Sequence, residues 1–173
     1  MRFYHVTILS GMDTGVAFGP KDWNPYSLRY GVEAAASELP PLKMDHGGFV
    51  DYQPGQVNLC SEKLMCVIEL NKAENDRIGW FGATIEDARS EFRQYYALHM
   101  PVVEPVLNEE KTVFAGEQKE FVVRPHFNME AIKARHVFSY RGNINSWVVS
   151  AHMRSKILEA GCTGLVFLDV EAS

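Results

Sequence analysis

No apolar run in this 173-residue chain approaches the ~18 residues that a membrane-spanning helix requires. Met1 and Arg2 lead straight into Phe3, Tyr4 and His5, without the continuous apolar segment or small-residue cleavage site of a secretory leader. The three cysteines, Cys60, Cys66 and Cys162, contain no CxxC pair, so neither a disulfide framework nor a zinc knuckle is indicated. A reducing cytoplasm is the expected location. Lysine and arginine nowhere form a run, and the net charge is -5 with a pI near 5.7. Nucleic-acid binding relies on clustered cations that meet phosphates, so the expected partner is a basic protein, not nucleic acid or membrane.

Catalytic signatures are missing as well. His5, His46, His99, His126, His136 and His152 form no HExxH, no HxH and no i, i+4 ligand pair, and a metal site would have to be assembled across the fold. No serine sits in a GxSxG elbow, and His46-Gly47-Gly48 is not followed by the GKT or GKS of a phosphate loop. The cysteines lie within apolar patterns, where packed, inert thiols are usual. Two adjacent carboxylate pairs stand out, Glu86 with Asp87 and Glu109 with Glu110. Sequence neighbours rarely converge on one reacting atom, whereas hydrolysis by paired acids needs carboxylates held apart on separate elements. The pairs read either as solvated charge or as a binding surface. No cofactor, metal site or catalytic residue is expected.

What the chain does contain is ordinary globular chemistry, 46% hydrophobic and 23% charged, in a length that suits one domain over residues 1–173. Residues 1–9 are aromatic and β-branched and read as a first strand, ended by Ser10-Gly11. Residues 11–25 read as a long loop. Within and just after it, Phe18, Trp23 and Tyr26 are large anchors that either pin it to the body, the favoured reading, or present it to a partner. Residues 28–39 suggest a short helix through Val32, Ala35, Ala36 and Leu39, stopped by Pro40-Pro41.

A strand over 57–59 then leads into an amphipathic helix capped by Ser61, with Leu64, Met65 and Ile68 on its apolar face. The same design recurs: Trp147, Val148 and Val149 precede Ser150, and Met153 and Ile157 stand at the offsets that Leu64 and Ile68 occupy from Ser61. Apolar runs at 78–85 and 164–170 follow the two helices. The fold class implied is α+β, a mixed or antiparallel sheet of short strands with a few packed helices, in two similar strand-helix-strand halves. Between them, residues 84–94 are open between a short capped helix and a hairpin connection. Tyr96, Leu98, Met100 and Val102 alternate with their neighbours as a strand does. Pro101 and Pro105 point to an edge or bulged strand, because proline removes a ladder donor. Residues 121–124, 136–140 and 148–149 read as further strands, with turns over 128–135 and 141–143. The last helix, over 151–160, ends at Gly161.

Three stretches, CSEKLMCVIE at 60–69, YYALHMPVVEPVLNEEKTVF at 95–114, and RHVFSYRG followed by the segment 146–173, together resemble the immunity proteins of bacterial polymorphic toxin systems. The group is the myxobacterial-type immunity family, formerly a domain of unknown function. Its members carry a Ser-led helix, a Tyr-Tyr strand ending in a Leu-(Asp/Asn)-Glu-Glu-Lys turn, an aromatic strand, and a terminal helix closed by Gly, two hydrophobic residues and Phe. The resemblance covers residues 57–171, with 1–56 as a variable N-terminal part. Asn108 stands where Asp is commoner and Thr112 where Ser is expected, both substitutions that preserve turn chemistry.

The resemblance implies a non-catalytic protein that binds and neutralises a cognate antibacterial toxin, often a nuclease. A nuclease needs a basic cleft for its phosphates, which an acidic protein can occupy while charge attraction speeds encounter. Toxin contacts are accordingly expected at Glu86, Asp87, Glu109 and Glu110, with Tyr140 and Trp147 as candidate anchors. The alternatives are a small cytoplasmic hydrolase or nucleotide-modifying enzyme whose site is assembled from scattered His and carboxylates, and a structural partner in a larger complex.

Overall fold

Ser61 and Ser150 open the two longest helices of the computed structural model, which describes residues 1–9, 14–34, 39–142 and 146–173. Each hydroxyl accepts from the backbone amide three residues on, Leu64 and Met153 respectively, at 3.2 Å. That satisfies one of the N–H groups a helix start leaves without an internal partner.

The described elements begin with β1 (Phe3–Ile8), β2 (Ala17–Phe18), a 3-10 turn over Pro25–Leu28, β3 (Leu42–Met44), β4 (Tyr52–Gln53) and β5 (Leu59–Ser61). Then come α1 (Glu62–Asn71), β6 (Gly79–Glu86), β7 (Phe92–His99), β8 (Val113–Ala115), β9 (Phe121–Arg124) and β10 (His126–Phe127). The remainder is α2 (Met129–Ile132), β11 (Val137–Ser139), β12 (Trp147–Ser150), α3 (Ala151–Glu159), β13 (Leu165–Asp169) and β14 (Glu171–Ala172). The strands form a mixed six-stranded sheet, β2-β3-β6-β7-β5-β4, and an antiparallel four-stranded sheet, β11-β12-β1-β13. A β8-β9 hairpin and a short parallel β10-β14 pair complete an α+β fold.

The expected pair of halves is visible in the sheet orders. In one half β5 runs into α1 and α1 leads to β6, with β7 between β5 and β6; in the other β12 runs into α3 and α3 leads to β13, with β1 between β12 and β13. β4 flanks β5 as β11 flanks β12, and every one of these pairings is antiparallel. The N-terminal strand therefore occupies in one half the place that β7 occupies in the other. The helices α1 and α3 meet, and Leu64, Ile68, Met153 and Ile157 are fully buried in a central core with Tyr4, Leu98 and Trp147. Each sheet has a second core on its other face, one around Leu42, Leu59 and Ile85, the other around Phe3, Phe127 and Phe138.

Polar ties join the halves at matching places. Asp51, just before β4, accepts from the Ser61 hydroxyl at 2.6 Å and, with its other oxygen, from the Thr163 amide at 2.8 Å and Lys63 at 3.1 Å. Thr163 lies in the connection from α3 to β13. Conversely Asp76, in the connection from α1 to β6, accepts from the amides of His136 and Val137 where β11 begins, at 3.1 and 3.0 Å, and from the Ala73 amide at 2.7 Å. Partial burial works against ionisation of Asp51, but the hydrogen bonds from Ser61, Thr163 and Lys63 hold its carboxyl below the ordinary range. Asp76 is only 6% exposed, and burial outweighs its three amide donors and pushes its carboxyl up.

The six-stranded sheet also curls on itself. Ala17 N–H donates to the Pro54 carbonyl at 2.8 Å, and the buried Gln53 amide donates to the Gly15 carbonyl at 2.6 Å, so chain next to β4 meets β2 at the opposite end of the strand order.

Two expectations change and one open reading is decided. The predicted helix over 28–39 is not formed in its described part: the backbone at Arg29 is extended and Gly31 has φ +82, neither compatible with a right-handed helix. Ala35 and Ala36 lie outside the described residues, as do Ser10, Gly11 and Asn143. Residues 84–94 are a hairpin, not a helix. β7 is an interior strand between β6 and β5, not an edge or bulged one, because it stops at His99 before Pro101 and Pro105 are reached.

Candidate binding surface

Glu86 is the last residue of β6, and its neighbours across the sheet define a single row. Phe18 on β2 pairs with Lys43 on β3, Lys43 with Glu86, and Glu86 with Phe92 on β7. Residues opposite each other in a ladder point to the same face, and the Lys43–Glu86 ion pair at 3.1 Å fits that geometry. The opposite face carries Leu42, Ile85 and Tyr95 into the sheet's own core. The row therefore lies on the outer face, where Phe18 and Phe92 are 50% and 65% exposed. Two more paired rows continue it, Thr84 with Gln94 and Gly82 with Tyr96. Further on, Trp80 donates its indole N–H to Glu69 of α1 at 2.7 Å, which marks where the helix begins to cover the face.

Asp87 has a local task. Its Oδ1 accepts from the amides of Arg89 and Glu91, both at 2.9 Å, and its own amide donates to the Glu91 carbonyl, closing the β6-β7 turn in which Ser90 adopts φ 61. Two concavities flank it. One, of about 390 Å³, includes Phe18, Lys43 and Glu86; the other, of about 430 Å³, includes His46, Arg89, Glu91 and Arg93. Arg93 lies over the Phe49 ring at 4.5 Å.

Glu109 and Glu110 are elsewhere, in a turn beside the core behind the four-stranded sheet. Asn108 Oδ1 accepts from the amides of Glu110 and Lys111, both at 3.2 Å. The Thr112 hydroxyl donates to the His126 carbonyl and accepts from the His126 amide, both at 3.1 Å, so Asn and Thr perform the turn chemistry expected of them. Glu109 pairs with Arg141 at 2.7 Å, both side chains about half exposed. No described contact brings the two acidic pairs together.

The aromatic anchors are corrected by burial. Trp147 is 0% and Tyr140 2% exposed: the Trp147 indole donates to the Tyr52 hydroxyl at 3.0 Å, and Tyr140 packs edge-on to Phe127. Both are core residues: Trp147 on β12 faces the central core, and Tyr140, just after β11, packs into the core behind the four-stranded sheet. Phe18, expected to pin its loop, instead presents its ring to solvent, while Trp23 packs against the core. Phe92 was missed altogether, although the period-two pattern that buries Tyr95 and Ala97 puts it with Gln94 and Tyr96 on the other face.

Elsewhere, burial pushes the Cys60 thiol up and the Cys162 thiol to about 11, which leaves both unreactive at neutral pH. Among the described residues no group of three or more His, Cys, Asp and Glu is placed to hold a metal ion, and no helix is long and apolar enough to cross a membrane. No protein-family model matches the chain, and no curated protein matches it.

Proposed function

We propose that this chain is an immunity protein that binds a cognate antibacterial toxin, with a nuclease as the favoured class, and neutralises it without chemistry of its own in the cytoplasm of the producing cell. The observation that carries the reading is the uncovered row around Glu86. Phe18 and Phe92 stand exposed on one sheet face on either side of a shielded carboxylate, and apolar surface rimmed by polar groups is the kind that marks interaction sites. The ordered resemblance of residues 57–171 supplies the class of partner, and its stretches fall on the Ser-capped helices α1 and α3 and on the strands β5, β7, β11, β12 and β13. The acidic balance of the whole chain favours encounter with a basic toxin cleft.

One contact bears on the hydrolase alternative. The Ser150 hydroxyl and His136 Nδ1 are 2.9 Å apart, the spacing of a nucleophile and its base. Ser150 is 1% exposed, however, and its oxygen caps α3, while Asp76 binds the His136 backbone rather than its ring. The geometry is that of a helix cap and gives the hydrolase reading no support.

Co-expression with the protein encoded immediately upstream, expected to carry the toxin domain, tests the proposal. Cells making this protein are expected to survive the toxin, and the two proteins to co-purify at nanomolar affinity or better, about -12 kcal/mol. Continued killing without co-purification overturns the reading.

A further inference from the structure

We infer that the toxin docks on the outer face of the six-stranded sheet, centred on the row Phe18, Lys43, Glu86 and Phe92, with a cationic side chain of the toxin replacing Lys43 on Glu86. The inference rests on the immunity reading above and specifies its surface. Three strand spacings separate Phe18 from Phe92, roughly 14 Å, so the two rings bracket the ion pair rather than touch each other. The Glu86 side chain is 25% exposed and the Lys43 side chain 77%. The carboxylate is thus held within the sheet while the ammonium is free to swing into water, which makes Glu86 a preformed receptor for another cation. Apolar rings around a shielded charge, with a polar rim, match the anatomy of a protein interface.

Charge selects the occupant. In the concavity that holds Phe18 and the ion pair, Asp45, Glu86 and Asp87 stand against Lys43, while Arg93 lies over Phe49 on the opposite face. That slight negative surplus disfavours phosphate-rich nucleic acid and anionic lipid, both of which demand cations. A basic protein surface with an apolar neighbourhood fits.

The test uses the full chain and an inactivated form of the upstream toxin domain, with affinity read by calorimetry and thermal midpoints as the control for folding. Phe18→Ala and Phe92→Ala are each expected to weaken binding ~10-fold or more, and Glu86→Lys to do the same while slowing association. Phe121→Ala removes a ring that is 64% exposed on β9, away from this face, and is expected to change affinity less than ~3-fold. If wild type neutralises the toxin but the Phe18, Phe92 and Glu86 variants bind as tightly, the surface is wrong and the immunity reading stands. If wild type neither binds nor protects, both fall. The surface assignment is likewise overturned if the Phe variants leave toxin binding intact but abolish self-association in light scattering or sedimentation with phosphatidylserine vesicles.

Discussion

The half containing β4, β5, α1, β6 and β7 closes its sheet with neighbours in sequence, whereas the half containing β11, β12, α3 and β13 borrows β1 from the other end of the chain. The spatial orders coincide, yet the closures differ in the loop entropy each must overcome. The β6-β7 hairpin closes over five residues, while β1 pairs with β12 and β13 across almost the whole length of the chain. The lesson is that one local pattern, strand, serine cap and amphipathic helix, can be satisfied by either a near or a distant third strand.

The ties between the halves differ in a second way. Asp51 ends below the ordinary carboxylate range because hydrogen bonds prevail over its partial burial, and Asp76 ends above it because burial prevails. The stability contributed by Asp51 is present above the unfolded value, ~3.9, and is lost as pH falls through its lower folded value. For Asp76 the sign reverses: its contribution is present below ~3.9 and is lost as pH rises through its raised folded value.

The severest break in the comparison is Trp147→Ala, which removes a fully buried indole together with the hydrogen bond that links β12 to Tyr52 of β4. A loss of ~4 kcal/mol in urea unfolding is expected, with both halves melting together. Asp76→Ala comes next, at ~3 kcal/mol, because three backbone amides lose their acceptor, two of them at the start of β11. Asp76→Asn sharpens the pH contrast: between pH 7 and pH 4 the stability difference from wild type should move in favour of wild type, while the corresponding difference for Asp51→Asn should shrink on further acidification. Urea midpoints from pH 7 down to below pH 4 read both, and parallel shifts would refute the opposed linkage. Ser61→Ala and Ser150→Ala should each cost ~1 kcal/mol or somewhat more, since each hydroxyl also has a second partner, Asp51 and His136 respectively. Glu109→Gln is expected to change stability by less than ~0.5 kcal/mol, because its bond to Arg141 is half exposed.

Much of this architecture was legible where the signal is local. Ser61 and Ser150 cap as their spacing from Leu64 and Met153 foretells, and Gly161 takes the positive φ, 64, that ends α3. The candidate surface was legible only in part. Glu86 was found as a charge, but Phe18 and Phe92 become a surface only because α1 stops short of them, and no local pattern encodes how far a helix extends over a sheet. Tyr140 and Trp147 misled for the related reason that burial of an aromatic depends on what lies across the core. Pro101 and Pro105 suggested an interrupted strand, but strand length is set by pairing with β6 and β5, which ends before them.

The hydrogen bonds that bring Pro54 to Ala17 and Gln53 to Gly15 have a colloidal consequence. A sheet that displays phenylalanine to water would ordinarily invite another sheet to add at its margin, and fibrils grow from such unpaired ladders. Here the outermost strands are two residues each and turn toward each other, so each offers a newcomer only a two-residue ladder to extend. A face that bears exposed phenylalanine can thus stay open to water without its two outermost strands templating further ones.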